Sequence, residues 1–367
     1  QELNITLSMA LKMPELKQQY ENSPAVKRLI DTAMALEGMP RNISVHAAGV
    51  VITDRPISAY VPLSVSNGTV VTQFDMDTVA KLGLLKFDFL ALRYLTILHD
   101  AEREIREREP DFDIEKLPLD DRDTYRLISS GRTSGVFQLE SGGMRQMLKE
   151  LAPERIDDVI AAIALYRPGP MDSIPKYIHN RHNPKDISYD TPLLKDILDV
   201  TYGCIVYQEQ VMQIFRTLAG YSLGRADIVR RAMSKKKHDV MAKEREAFVY
   251  GQKDEQGNII IKGCVNNGVD EKAAQKIFDE MSAFSSYAFN KSHAAAYSFV
   301  SYQTAYLKCH YPKEYMAALM TSMQDDTDKI AFYTSECKRM GIKVLPPHVN
   351  ESRENFTPTE EGIRFGL

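Results

Sequence analysis

The 367-residue sequence carries 46 basic and 50 acidic side chains, a formal charge of −4, and 44% hydrophobic residues. That length exceeds one typical domain, so two or three units are expected, each with enough apolar sequence for a buried core. No apolar run approaches the ~20 residues of a membrane span, which argues against a membrane role.

Taken in order, the first forty residues read as helix, with Ser23 as an N-cap before Pro24 and Gly38 closing the run. His46 to Thr53 is a short apolar strand. Asn67-Gly68, just before Thr69-Val70-Val71-Thr72, predicts a hairpin, and Leu82 to Leu90 a further buried strand. Residues 44–92 are therefore expected to form a small sheet-bearing unit. Helices dominate from Leu95, where Leu95, Leu98, Ala101 and Ile105 mark one amphipathic face. Gly135 to Leu139 suggests an isolated strand, and Ser141 caps the helix after it.

Ile156, Val159, Ile160 and Ile163 drive a helix that must end before Arg167-Pro168-Gly169-Pro170, and residues 172–203 read as irregular. Tyr207, Val211, Ile214, Phe215 and Leu218 form the next stripe, stopped by Gly220. Gln252 to Lys262 suggests a hairpin. Asp270 caps one helix, Ser292 caps another that reaches Pro312, and Asp328 to Gly341 is the last. The chain opens on Gln1 and closes on a strand-like run, Ile363 to Leu367, so a piece of a longer protein is expected. Cys204, Cys264, Cys309 and Cys337 form no C-x-x-C and fit reduced thiols in the cytoplasm.

Charge is unevenly placed. Residues 216–245 hold nine Lys/Arg against three acids, whereas residues 99–123 hold eleven acids against five bases. The centre of the basic stretch is Arg230-Arg231-Ala232-Met233-Ser234-Lys235-Lys236-Lys237. Ala226, Val229 and Met233 give it a buried helical stripe. A mildly acidic chain that gathers cations in one place points to a polyanionic partner, with a solvated basic face as the plain alternative. Phosphate suits this mixture of guanidinium and ammonium better than carboxylate does.

Two acidic constellations invite a metal. Asp75 and Asp77 would share one side of a strand, although an exposed strand end or turn explains them more simply. Asp88 stands in an apolar run with Lys86 two residues away. The spacing leaves it open as a metal ligand or as a salt-bridge partner of Lys86. His179 and His182 form an H-x-x-H without a further ligand nearby, a weak metal motif. Arg167 offers a cation on a rigid loop. Asn290, Lys291 and His293 approach a helix N-terminus, where free amides favour anions, and Tyr297 shares the face of His293 and offers a ring for stacking.

Seven segments then match one family in order: His46-Ala-Ala-Gly-Val-Val-Ile, Lys86-Phe-Asp-Phe-Leu with Leu92-Arg-Tyr-Leu-Thr, Gly135-Val-Phe-Gln-Leu-Glu-Ser, Tyr166-Arg-Pro-Gly-Pro, Tyr207-Gln-Glu-Gln, Arg230 to Lys237, and Phe289-Asn-Lys-Ser-His-Ala-Ala-Ala-Tyr. Over essentially its whole length the chain resembles the alpha subunits of bacterial DNA polymerase III, the C-family replicative polymerases, in their shorter class without a built-in exonuclease. Ser234 replaces an expected glycine, and Ala91 departs from the usual Asp-Phe-Leu-Gly-Leu.

The resemblance implies an α+β, mostly α fold, with a small palm-type sheet followed by a large helical fingers domain. Residues 1–43 would end the thumb, 44–93 form the second part of the palm, and 94–367 most of the fingers. It implies two magnesium ions held by three aspartates, of which Asp88 matches the third, while Asp75 and Asp77 match none. Lys86 matches a lysine near the primer end. Arg167, Arg230, Arg231, Lys235, Lys236, Lys237, Asn290, Lys291, His293 and Tyr297 are the expected nucleotide contacts. The implied partners are primer–template DNA, a deoxynucleoside triphosphate, and replisome subunits including the sliding clamp, the last through regions outside this sequence. The chain alone is expected to be inactive. The competing reading is a non-catalytic module that grips nucleic-acid backbone. A small-nucleotide phosphotransferase lacks its Walker-type glycine loop here.

Overall fold

A computed structural model of the chain describes residues 5–39, 42–167, 169–234, 238–285 and 288–367. It divides into two compact units, Gln1–Ala91 and Leu92–Leu367.

In the first unit, helices α1 (Leu7–Ala10), α2 (Pro14–Asn22) and α3 (Pro24–Leu36) precede the strands. Ser23 caps α3 as the sequence predicts, accepting from the Val26 amide with Pro24 at the first turn. The Tyr20 hydroxyl donates to Asp31 across the α2–α3 pair at 2.6 Å. Strand β1 (Gly49–Val51) is followed by β2 (Leu63–Ser66), β3 (Thr69–Thr72), helix α4 (Met76–Lys81) and β4 (Lys86–Asp88). The β2–β3 hairpin turns at Asn67-Gly68, both with positive φ (50° and 77°), the geometry for which that dipeptide is suited.

β1 and β4 pair antiparallel, with Gly49 opposite Asp88 and Val51 opposite Lys86. The sheet character of this stretch is thus split between two small ladders. Two expectations are corrected here. Leu82 ends a helix, and Leu85, Phe87, Phe89 and Leu90 are exposed in the described chain, so 82–90 is not one buried strand. Asp75 and Asp77 begin α4 instead of lying in a strand: the Asp75 carboxylate accepts from the Thr78 amide at 2.7 Å, which holds its pKa down.

The second unit is mainly helical. Its first half contains α5 (Arg93–Arg106), α6 (Arg122–Ser129), α7 (Gly142–Leu151), α8 (Ile156–Leu165), α9 (Ile174–His182), α10 (Lys195–Leu198) and α11 (Gln208–Ala219). Then come α12 (Leu223–Ser234), α13 (His238–Tyr250), the hairpin β5 (Gln252–Lys253) with β6 (Ile259–Ile261), α14 (Glu271–Ser285) and α15 (Lys291–His310). α16 (Pro312–Thr321), α17 (Thr327–Arg339) and strands β7 (Lys343–Leu345), β8 (Thr357–Pro358) and β9 (Gly362–Arg364) complete it, with β9 central in the small sheet.

Three apolar cores hold these elements. One joins α6, α7 and α8 to α15, a second joins α11 to α14, and the third packs α5 against α16 and α17. α16 is buried from Glu314 to Met320. In α5 the inward face is Ile97, Leu98, Ala101 and Ile105, while Leu95, predicted to be on it, is exposed. Residues 172–203, read as irregular, contain α9, α10 and short 3-10 turns. Gly135 to Leu139 is a chain of turns and not a strand, because Gly135 (φ 73°) and Gln138 (φ 61°) both leave the extended region.

No helix among the described residues is long and apolar enough to cross a membrane.

Candidate nucleotide site

α8 stops at Leu165 because the chain then meets a proline- and glycine-rich turn, with Gly169 at φ 106°. Pro168 lies outside the described residues. The stop throws Arg167 across the ring of Phe289, its guanidinium carbon 3.1 Å from the ring centre. Arg167 has no ion-pair partner among the described residues, and burial pushes its pKa down.

Phe289 is held by the Tyr207-Gln208-Glu209-Gln210 segment at the start of α11. Tyr207 and Phe289 form a parallel bridge, the Gln208 amide donates to Phe289 O at 2.9 Å, and the Gln208 side chain donates to Ala288 O at 2.7 Å. The Gln210 side chain is spent locally, accepting from the amides of Val206 and Tyr207. Glu209 reaches the other way: it accepts from the Lys291 amide and from Asn290 Nδ2.

This corrects two expectations about α15. Its cap is Asn290, which accepts from the His293 amide at 2.8 Å, and not Ser292. Its leading amides are also not all open to an anion, since Glu209 already places a carboxylate at that terminus. Lys291 instead lies over the Tyr207 ring at 5.4 Å.

One turn further along α15, the rings of His293 and Tyr297 lie 4.1 Å apart, and His293 also meets Phe289 edge-on. Tyr297 touches Phe137, which touches Tyr94. Tyr94, Phe137, His293 and Tyr297 line a cavity of about 510 Å³ together with Gln138, Glu140, Ser141, Met144, Ile163, Tyr166 and Arg167, and Phe289 lies behind Arg167 and His293. The structure therefore gathers Arg167, His293 and Tyr297 in one place. A slot of ring faces beside a cation is suited to a planar, anionic ligand.

Arg230 and Arg231 do not line this cavity. They lie on α12 in the second core, where Ala226, Val229 and Met233 are buried as the stripe predicts. Both arginines meet Asp227: Arg230 through Nε and Nη2 at 3.1 and 2.8 Å, Arg231 through Nη2 at 2.6 Å. Their hydrogen bonds hold the Asp227 carboxyl below its usual range. Arg225 pairs with Glu244 at 2.8 Å, so part of the local positive charge is neutralised within the unit. Arg231 remains well exposed. Lys235, Lys236 and Lys237 lie outside the described residues.

In the first unit Lys86 Nζ lies 3.0 Å from Asp88 Oδ1, the pairing that their two-residue spacing allows. The Asp88 side chain is 53% exposed, so the cost of burying a carboxylate does not arise in the described chain. His46, which the sequence marks only as part of a motif, completes a small cluster. Its Nδ1 accepts from the Ala48 and Gly49 amides, and its Nε2 is 3.4 Å from Lys86 Nζ. A Cβ on Gly49 would fall 2.8 Å from His46 Nδ1 and 3.0 Å from Lys86 Cδ, so glycine is what lets the three groups close up.

No group of three or more His, Cys, Asp or Glu suited to a metal occurs among the described residues. His179 is paired with Asp186 and His182 with Glu150 O, each at 2.8 Å, which separates the H-x-x-H pair.

Other cavity residues escape a reading of the sequence because their signal is tertiary: Tyr94 and the adjacent Phe137 and Gln138 come from two separate segments, and only the Gln138 backbone angle marks it.

Residues 94–256 match the family profile described as the bacterial DNA polymerase III alpha subunit finger domain, and residues 1–91 match that of the bacterial DNA polymerase III alpha NTPase domain. The chain is 50% identical to the DNA polymerase III subunit alpha of Thermus aquaticus, with 97% of this chain and 29% of that protein covered. It is 46% identical to the protein of the same name from Chlamydia muridarum (100% and 29% covered) and 45% identical to that of Borreliella burgdorferi (99% and 31%). It thus spans about a third or less of the length of these relatives. With both profiles matching in sequence order and identities this high along the whole chain, the chain belongs to the bacterial DNA polymerase III alpha-subunit family.

Proposed function

We propose that this chain supplies the incoming-nucleotide site and one carboxylate of the catalytic centre of a template-directed DNA polymerase. The observation that carries the reading is the cavity in which Arg167, His293 and Tyr297 converge, in a chain of this family. Residues 1–43 serve as the end of a thumb, 44–93 as part of a palm, and 94–367 as fingers. The partners are primer–template DNA and a deoxynucleoside triphosphate, the replisome and its clamp being reached through other parts of the polymerase, in the cytoplasm.

In this reading the rings of Tyr297 and His293 bear on the base and sugar, and Arg167, held by Phe289, faces phosphate. Arg230, Arg231 and the lysines after them supply further positive charge to the triphosphate as charge develops on it. Asn290 and Lys291 set the start of α15. Asp88, an exposed carboxylate, suits a magnesium oxygen ligand but needs further carboxylates to complete a site. Lys86 balances its charge and faces the primer end. Magnesium, when bound, supplies Lewis-acid activation of the primer 3′ hydroxyl and neutralises the departing pyrophosphate.

The alternative, a module that only grips DNA backbone, rests on the exposed basic face around Arg231. Titration of the chain with a deoxynucleoside triphosphate, with and without magnesium, separates the two. A nucleotide site gives saturable binding that weakens on Arg167→Ala. A backbone grip gives DNA binding indifferent to the triphosphate. Primer extension by the 367-residue chain itself is expected to fail, and extension abolished by Asp77→Asn would move the metal site away from Asp88.

A further inference from the structure

The segment 132–140 contributes Phe137, Gln138 and Glu140 to the cavity wall, and the fold fixes it from several sides. Thr133, Ser134, Val136, Phe137 and Leu139 are buried. The Thr133 hydroxyl donates to Leu139 O at 2.5 Å, closing the segment into a loop. The Phe137 amide donates to Thr304 Oγ1, and the Tyr315 hydroxyl donates to Gly135 O at 2.6 Å. Lys308, fully buried, donates from Nζ to Arg132 O, Ser134 O and Glu336 Oε1 at 3.0, 2.8 and 2.7 Å. An ammonium so placed costs too much to bury unless every partner is kept, so the loop and the Lys308–Glu336 pair hold one another in place.

The frame presents Gln138. It has φ 61°, a region that a residue with a Cβ rarely occupies, and it is exposed between buried neighbours. Glycine would meet that backbone without strain, so a glutamine held there is informative through its side chain. Gln138 lines the cavity, and its side-chain amide makes no hydrogen bond among the described residues. Its chain neighbour Phe137 packs against Tyr297, 5.2 Å between ring centres, and both rings line the same cavity.

We propose that Gln138 is a specificity-determining residue. Its Nε2 donates to the minor-groove edge of the base on the incoming nucleotide, and so favours a correctly shaped pair over a mismatched one. This rests on the reading of the cavity as the nucleotide site. Ring faces take the plane of a base, which leaves its edge to an in-plane donor such as an amide. A polymerase must accept all four bases, which excludes the major-groove edge, where every pair differs. The minor groove offers the A N3 and T O2 acceptors in either orientation of that pair, and purine N3 and pyrimidine O2 are retained in G·C.

The test is single-nucleotide insertion by a polymerase of the relatives' full length carrying this sequence. Gln138→Ala should lower kcat/KM for a correct nucleotide about tenfold, the scale of one lost hydrogen bond with an unsatisfied partner, and mismatches less. Wild type should lose a similar factor with 3-deaza-dATP, in which a C–H replaces N3, but not with 7-deaza-dATP. Gln138→Ala should be indifferent to the 3-deaza change.

Gln138→Gly removes the strain together with the amide. It should lose discrimination while melting no lower than wild type, an outcome that a purely structural glutamine would not produce. A 3-deaza penalty that persists in Gln138→Ala overturns the proposal. Arg167→Ala and Tyr297→Ala separate this failure from a wrong site: if their nucleotide KM is unchanged, the cavity reading falls. If their KM rises while the 3-deaza penalty survives in Gln138→Ala, only the Gln138 contact falls.

Discussion

The Arg167 guanidinium lies face-on to the Phe289 ring, 3.1 Å from its centre, and burial lowers the pKa of that arginine. A partly desolvated cation–π pair is worth up to about 2 kcal/mol, so the ring keeps a charged group aimed at the cavity without a carboxylate to quench it. In a polymerase of the relatives' full length, Phe289→Leu, which preserves bulk and removes the π face, should raise the nucleotide KM several-fold in steady-state primer extension. Phe289→Tyr should stay near wild type. Equal behaviour of the two variants would mean that the ring does not set the position of Arg167.

Asp227 accepts from both Arg230 and Arg231 and should compete with any phosphate for them. The Arg231–Asp227 pair is largely exposed and adds little stability, and an asparagine keeps an oxygen acceptor for the more buried Arg230, so Asp227→Asn should melt close to wild type. Its effect should be on ligand binding. If the helix meets the triphosphate, the nucleotide KM falls several-fold. If it meets DNA, the log–log salt dependence of DNA binding steepens by about 0.9 for each further phosphate that the helix, with its Asp227 charge removed, neutralises. No change in either measurement would remove both arginines from the phosphate-binding group.

Asp88 and Lys86 give a sharper test of chemistry against binding. In a full-length polymerase, Asp88→Asn should abolish nucleotide addition and leave primer–template affinity nearly unchanged, because a lost metal ligand removes charge stabilisation of the transition state only. Activity within about tenfold of wild type, roughly 1.4 kcal/mol, would exclude Asp88 as a ligand.

Asp121 links acid stability to the second unit. Burial raises its pKa, but the hydrogen bonds to His310 and to Thr124 lower it further, and the net direction is down. A depressed folded-state value means that the unfolded chain binds the proton more tightly. The stabilisation is complete above the ordinary carboxylate range near 3.9 and is lost as pH falls through the folded value. Asp121→Asn, which keeps an acceptor for the Thr124 amide, should therefore flatten the fall in Tm between about pH 5 and pH 2. An unchanged acid limb would show that this pair is not coupled to folding.

Local pattern alone was enough to read many elements. The Asn67-Gly68 hairpin, the Ser23–Pro24 start of α3 and the buried stripe of α12 follow from rules that act within a few residues: turn φ values, amide capping and helical period. The same rules mistook Gly135 to Leu139 for a strand, because Val136, Phe137 and Leu139 are apolar and nothing in the sequence reveals a left-handed Gln138. They placed the cap of α15 at Ser292, two residues late, where Asn290 and the carboxylate of Glu209 decide the start.

The sequence by itself determined which residues are candidates for the chemistry: Arg167, His293, Tyr297, Lys86, Asp88 and the basic helix are all chosen by type and motif. Tertiary structure decided their company. It set Arg167 on Phe289, closed Glu209 onto the start of α15, tied both arginines of α12 to Asp227 and put Gln138 on the wall of the cavity. The physical reason is range. Capping and periodicity act over a few residues, whereas these pairings join segments as much as 122 positions apart, or turn on which of several nearby groups the packed cores leave facing one another.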